Sequence, residues 1–283
     1  MVKDHFLLSN GERIPSIGFG TWKLPVGAVA ESAVRTAIEC GYRLIDAAAI
    51  YGNEKSVGTG IRSSGIDRKD VFLSSKLWNT EHGYQSTLNA FEKTINDLQV
   101  DYLDLYLIHW PNPVQFRDCY VEKNVETWKA FEKLHAEGKI KSIGVSNFFP
   151  RHIDEMLPSI DIKPMVNQIE FRPSCMHMDI VDYCRSNNIL IQGYSPLAGG
   201  RIFKLEELKA IAQSCGRPLA QVILRWSLQH GVLPLPKSEF PGEIKENIAV
   251  YDFELSDIDM RLIDAVTTCE GLGESDRPDD LEF

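Results

Sequence analysis

Four residues far apart in the chain carry groups that together would handle a proton at an oxygen atom: Asp46, Tyr51, Lys76 and His109. A tyrosine phenol ordinarily titrates near ~10, too high to exchange a proton easily at neutrality. An ammonium about 4 Å away favours the phenolate by roughly 4 kcal/mol at an effective dielectric near ~20, an upper bound. Asp46 would keep that ammonium charged and oriented, and His109 would donate a hydrogen bond to a substrate oxygen. The set suits protonation of an oxygen that is becoming an alkoxide. None of the four supplies hydride, so an external reductant is needed, and a nicotinamide meets the need. Singly, three have plainer readings: a turn-capping aspartate, a loop tyrosine, a hydrogen-bonded structural histidine. Lys76 is harder to dismiss, because it interrupts VFLSSKL (71–77), which reads as a parallel strand buried on both faces.

The elements that must position these groups follow from periodicity. Short apolar runs at 17–21, 43–47, 71–77, 102–108, 140–146, 165–170, 189–194 and 232–236 read as eight strands. Between them lie stretches of helical spacing. Ala30, Ala33, Val34, Ala37 and Ile38 form one apolar stripe, and Val125, Trp128, Phe131 and Leu134 another. Strands alternating with helices imply parallel pairing, and eight such units close into a (β/α)8 TIM barrel. FLLSNGERIPSI, with two extended runs about Asn-Gly, adds an N-terminal β-hairpin. Without a Pro/Gly/Ser linker, residues 1–283 read as one domain. The rival doubly wound sheet lacks its glycine-rich turn, since GFGTWK (18–23) puts Lys23 where the third glycine belongs.

Active sites of such barrels lie at the carboxyl ends of the strands. There the sequence places Trp22, Asp46, Lys76, Trp78, His109, Trp110, Ser146, Asn147, Asn167, Gln168, Tyr194, Ser195, Lys237 and Ser238, with Tyr51 on the loop after strand 2. Trp22, Trp78 and Trp110 would wall a substrate pocket, and Phe116 would add to it. Tyr194 could stack on a nicotinamide while Ser146, Asn147 and Gln168 bond its carboxamide.

Composition narrows the partners. The 30 Lys+Arg against 40 Asp+Glu give a formal charge of −10, which repels nucleic acid and anionic membrane. No run of 18 apolar residues exists, so no membrane span is expected. Six cysteines without a Cys-x-x-Cys pair, and a start lacking a secretory apolar core, fit free thiols and a cytoplasmic location. Cys175 and His177 lie two apart, but no second pair has ligand spacing, so no metal site is expected. His135, His152 and His230 fall in helical stretches and read as surface or packing residues. A monomer or weak dimer is expected.

The whole chain resembles the aldo-keto reductase superfamily. The resemblance is carried by GFGTW (18–22), LIDAAAIYGNE (44–54), SSKLWN (74–79), DYLDLYLIHWP (101–111), GKIKSIGVSNF (138–148), VNQIEF (166–171), GYSPLA (193–198) and LPKS with IKEN (235–238, 244–247), in that order. The compact length is similar to bacterial-type members such as the 2,5-diketogluconate reductase group. The resemblance implies a barrel that uses NADPH without a Rossmann fold, acting on small-molecule carbonyl substrates. It implies Tyr51 as general acid, tuned by Lys76 and Asp46, with His109 orienting the carbonyl. Thr21 and Trp22 would border the cofactor, Ser146, Asn147 and Gln168 would hold the carboxamide, and Tyr194 would pack on the nicotinamide. Ser195 and Leu197 would lie along the pyrophosphate, Lys237 and Ser238 would meet the 2′-phosphate, and Glu246 and Asn247 the adenine.

One departure stands out. Six residues past Lys237, where the family usually has an arginine on the 2′-phosphate, this chain has Glu243. A carboxylate there costs phosphate affinity. Relaxed cofactor choice is expected, with NADH accepted beside NADPH and NADPH still ahead through Lys237 and Ser238. Arg172, where the family often has histidine, has no functional reading. Two other readings compete: a barrel aldolase forming a Schiff base on Lys76, and a non-catalytic aldo-keto reductase-like binding or structural protein. Substrate choice would rest with residues 112–120, 199–204 and 270–283.

Overall fold

The structure is a computed structural model and describes residues 4–266, 277–280 and 282–283. The chain opens with the antiparallel hairpin β1 (His5–Leu7) and β2 (Arg13–Pro15), turning at Asn10-Gly11, where Gly11 takes a left-handed φ of 89°. The hairpin covers the end of the barrel opposite the candidate site: Asn10 Nδ2 donates to the Lys141 carbonyl at the start of a barrel strand (3.0 Å).

Eight parallel strands follow: β3 (Phe19–Gly20), β4 (Leu44–Asp46), β5 (Phe72–Leu77), β6 (Leu103–Ile108), β7 (Ile140–Ser146), β8 (Val166–Glu170), β9 (Leu190–Tyr194) and β10 (Leu233–Leu235). Each falls inside the run expected from the sequence. Consecutive strands pair in parallel from β3 to β10. The ring then closes, because Gly18 N–H donates to the Pro234 carbonyl (3.1 Å) and Gly20 N–H to the Pro236 carbonyl (2.9 Å). The seam is tight there: a Cβ on Gly18 would stand 2.6 Å from side-chain carbons of both Leu44 and Leu235.

Among the described residues, ten helices surround or extend the barrel: α1 (Ala28–Glu39), α2 (Glu54–Ser63), α3 (Tyr84–Leu98), α4 (Tyr120–Ala136), α5 (Pro150–Met156), α6 (Met178–Ser186), α7 (Glu206–Ser214), α8 (Leu219–Gln229), α9 (Pro241–Ile248) and α10 (Asp257–Asp264). The apolar stripes face inward as their spacing requires. Ala30, Ala33, Val34, Ala37 and Ile38 of α1 are all buried, as are Trp128, Phe131 and Leu134 of α4. The strands between carry side chains buried on both faces, so β6 is buried at every residue.

Arg172 has a structural account. Its guanidinium is buried, donating to Glu170 Oε1 (2.8 Å) and Ser174 Oγ (2.7 Å), and so pins the loop after β8. His152 is fully buried and its Nδ1 accepts the Phe149 N–H (3.0 Å) at the start of α5. Among the described residues no helix is long and apolar enough to cross a membrane, and Cys40, Cys119, Cys175, Cys184 and Cys215 are free thiols. Cys269 and residues 270–276 and 281 of the tail lie outside the described residues.

Candidate active site

Asp46 closes β4 and is paired in register with Ser74 on β5. Lys76, two residues beyond Ser74, shares its face of the strand. Lys76 is fully buried, and its Nζ donates to Asp46 Oδ2 (2.7 Å), the Ala47 carbonyl (2.9 Å) and Tyr51 Oη (3.4 Å). Three donors thus meet three acceptors, which is how a buried ammonium is tolerated. Tyr51 ends a single helical turn, Ala49–Tyr51, after β4 and keeps partial exposure. Its ring meets the edge of the His109 imidazole at 5.9 Å between centroids. His109 follows β6, where its N–H donates to the Leu77 carbonyl (3.2 Å), and its Nδ1 is buried without a partner among the described residues. The four residues expected to act together share one mouth of the barrel.

Their electrostatics differ from the expectation in one respect. The phenol of Tyr51 is not acidified. Burial, and then the Asp46 carboxylate, hold it well above its ordinary value. Lys76 does not reverse this, because its charge is compensated by Asp46 at 2.7 Å, closer than Tyr51 at 3.4 Å. Burial pulls the Lys76 ammonium down, and Asp46 opposes that. His109 is held well below its ordinary value by burial and then by the Lys76 charge, so it stays neutral and one ring nitrogen keeps a proton to donate.

Aromatic rings line the mouth. The ring of His109 lies 5.2 Å from Trp78 and 6.5 Å, stacked, from Trp110. Phe283, the end of the tail expected to shape substrate choice, stacks on Trp78 and meets the edge of Trp110, each at 5.9 Å. Asp279 anchors this segment: its Oδ1 accepts from Asn112 Nδ2 (3.0 Å) and pairs with Arg151 and His152. Burial opposes its charge, but these partners pull the Asp279 carboxyl down to about 2. Trp22 is half-exposed on the rim, with Lys23 Nζ 4.1 Å over its ring. Phe116 stacks on His82 at 6.1 Å, a neighbour the sequence reading did not foresee.

A cluster of polar groups stands beside the four. Asn147 adopts a left-handed φ of 63°, its Nδ2 donates to the His109 carbonyl (2.9 Å), and its Oδ1 accepts from Tyr194 Oη (2.9 Å). Ser146 Oγ donates to the Gln168 carbonyl (2.8 Å). Gln168 Nε2 donates to Asp46 Oδ1 (3.0 Å), which also accepts from Ser74 Oγ (2.8 Å). Thr21 is buried and its hydroxyl is engaged by the Asp46 carbonyl (2.8 Å). After β9, Ser195, Ala198, Gly199 and Gly200 are all left-handed, around the half-buried Leu197. Two turn bonds hold this loop: the Ala198 N–H donates to the Ser195 carbonyl and the Gly200 N–H to the Leu197 carbonyl, each at 2.9 Å. An amide-rich cluster beside an aromatic ring fits a nicotinamide with its carboxamide. At the far end, Lys237 is half-buried and Ser238 is buried, and Ser238 Oγ donates to Glu243 Oε2 at 2.6 Å. Glu246 is exposed on α9 and Asn247 is buried there.

Ser74 and Gln192 are neighbours the sequence did not point to, whereas Phe283 belongs to the tail, 270–283, expected to shape substrate choice. Gln192 could have been found by the argument applied to Lys76, since it too interrupts a buried strand run (ILIQGY, 189–194). Phe283 carries no local signal.

Comparison with known proteins shows the family and the fold. The profile of the Aldo/keto reductase family matches residues 16–268. Glyoxal reductase of Bacillus subtilis (strain 168) is 47% identical over 282 residues, covering 100% of this chain and 99% of the relative. The 9,11-endoperoxide prostaglandin H2 reductase of Trypanosoma cruzi (strain CL Brener) is 45% identical over 269 residues, covering 94% and 92%. A crystal structure of a Gox0644 mutant in complex with NADPH superposes with a TM-score of 0.89 at 37% identity, covering all of both chains. The chain therefore belongs to the aldo/keto reductase family and is an oxidoreductase enzyme.

Proposed function

We propose that the protein reduces aldehydes and ketones to alcohols, with a nicotinamide dinucleotide as reductant and Tyr51 as general acid. The observation that carries the reading is that Lys76 Nζ touches both Asp46 Oδ2 and Tyr51 Oη beside a neutral His109. A reduced nicotinamide, when bound, supplies a hydride to the carbonyl carbon. The residues of the chain do the rest. His109 donates a hydrogen bond that orients the carbonyl oxygen and polarises it. Tyr51, protonated because its phenol is held high, gives its proton to the oxygen as negative charge develops there. The Lys76 ammonium stabilises the phenolate left behind, and Asp46 keeps that ammonium in place. Trp78, Trp110 and Phe283 wall the pocket with apolar surface, which favours small uncharged carbonyl compounds. α-Dicarbonyls suit this pocket, in keeping with the name of the glyoxal reductase relative.

Ser146, Asn147 and Gln168 hold the carboxamide, Tyr194 packs on the ring, and Ser195 and Leu197 follow the pyrophosphate. Thr21 and Trp22 border the cofactor, and Glu246 and Asn247 meet the adenine. Lys237 and Ser238 would meet a 2′-phosphate, which favours NADPH, and a solved relative binds NADPH. Glu243 already occupies the Ser238 hydroxyl, so that phosphate would have to displace a carboxylate. NADH is therefore accepted beside NADPH, with NADPH ahead through Lys237. A Schiff base on Lys76 is disfavoured, because Nζ is buried and saturated by three acceptors.

The experiment is a cofactor-oxidation assay over aldehydes, α-ketoaldehydes and keto-sugars with both NADPH and NADH, run on wild type and Tyr51→Phe. Tyr51→Phe should bind cofactor as wild type does and lose about 10²–10⁴ in kcat. Wild-type turnover in the variant would overturn the role of Tyr51, and a KM for NADPH far below that for NADH would overturn relaxed choice.

A further inference from the structure

Gln168 on β8 and Gln192 on β9 are paired in register. Residues so paired in parallel strands point to the same face. In the ring of eight, β4 and β8 are four strands apart and occupy opposite walls. A hydrogen bond nonetheless crosses the lumen: Gln168 Nε2 donates to Asp46 Oδ1 at 3.0 Å and also to Gln192 Oε1 at 2.9 Å. With Lys76 Nζ on Asp46 Oδ2, one polar rung runs Lys76–Asp46–Gln168–Gln192 across the barrel beneath the mouth. All four members are buried, with Lys76 and Gln192 at 0% exposure.

The rung has a fixed polarity. A carboxylate only accepts, so Gln168 must turn its NH2 group to Asp46. Its two N–H bonds are then both engaged, one by Asp46 and the other by Gln192. What remains of the Gln168 amide is its carbonyl oxygen, an acceptor, and a nicotinamide carboxamide brings N–H donors. Without Gln192, the second N–H of Gln168 would be buried and unpaired, and the amide would gain by turning away. Gln192 has an unpaired group of its own: its Nε2 is buried with no partner among the described residues. An apolar residue of the same shape would avoid that cost. The penalty makes sense if the other end of the amide, Oε1, is the part in use.

We propose that Gln192 is a positioning residue for the nicotinamide, locking the Gln168 amide so that its oxygen is offered to the carboxamide. This rests on the reading of the site as a nicotinamide site. The effect falls on cofactor affinity and not on proton transfer, because Asp46 keeps Ser74 and Lys76 when Gln168 turns.

The test is isothermal titration of NADPH and NADH into wild type, Gln192→Met and Gln192→Glu. Methionine keeps the unbranched shape and removes the acceptor, whereas glutamic acid keeps an oxygen acceptor. Q192M should raise the Kd about tenfold, equivalent to about 1.4 kcal/mol, and leave kcat at saturating cofactor near wild type. Q192E should restore most of the affinity. In a Gln168→Met background, Q192M should add nothing further. Wild-type affinity in Q192M, or equal losses in Q192M and Q192E, would overturn the proposal. Should Q192M not fold, Gln192→Leu is compared with Q192E in the same way. If wild type itself binds neither dinucleotide, the nicotinamide reading fails; if wild type binds and Q192M binds equally, only the role of Gln192 fails.

Discussion

Tyr51 and His109 are held in the protonation states that the proposed reduction requires, and burial is the main cause for both. Tyr51 keeps its proton because its phenol is pushed up, and His109 stays neutral because its imidazole is pushed down. Neither group then titrates near neutrality. The rate of reduction should be level from about pH 6 to pH 9, measured as kcat at saturating substrate and cofactor. An inflection near ~6.5 that disappears in His109→Gln would show the imidazole to be more hydrated than its buried position implies. Lys76 was legible in the sequence because a lysine in an apolar parallel strand demands a partner. The direction of the Tyr51 shift was not, since it depends on how deeply the fold buries the phenol and on the Asp46 carboxylate brought beside it.

The helices around the barrel approach one another where side chains are missing. Gly58 lies within α2, and a Cβ there would stand 2.0 Å from the carbonyl oxygen of Leu98, the last residue of α3. Alanine is favoured over glycine in a helix by about 1 kcal/mol, which acts the other way. The clash is with backbone, so it should prevail. Gly58→Ala should destabilise the protein by about 3 kcal/mol in urea unfolding. Gly18→Ala at the barrel seam should cost less, about 1 kcal/mol, because the atoms met there are the ends of leucine side chains that can shift. A neutral Gly58→Ala would mean that α2 and α3 can separate freely. The strands and apolar stripes were readable from periodicity; this close approach was not, because glycine alone does not say which carbonyl it faces.

Across the whole molecule, one buried acid links α2, β5 and α3. Glu54 accepts from Ser75 Oγ (2.6 Å) and Thr94 Oγ1 (3.4 Å), and burial raises it to about 7 although the Ser75 bond opposes this. The folded protein therefore holds this proton more tightly than the unfolded chain. Its contribution to stability is fully present below pH ~4.5 and is lost as pH rises through about 7. A glutamine in its place has no proton to lose, so Glu54→Gln should gain about 3 kcal/mol relative to wild type between about pH 4 and pH 8. Denaturant unfolding of both proteins across that range checks this. An unchanging difference would mean that Glu54 is hydrated or stays ionised throughout.

The sequence alone determined the barrel, the boundaries of its strands within a residue or two, the hairpin and the residues at the strand ends. These are local properties: alternation, helical spacing and turn chemistry each act over a few residues and report which side of an element is buried. Motif order carried the family. The tertiary structure decided which polar groups meet. Asp46 and Gln168 are joined only because the ring closes, and Phe283 is brought to Trp78 by contacts far away in sequence, the Val114 N–H on its carbonyl and Asn112, Arg151 and His152 on Asp279. Contacts of that kind, and the titration of groups within them, depend on distances across the fold and on the exclusion of water, neither of which is a function of neighbours along the chain.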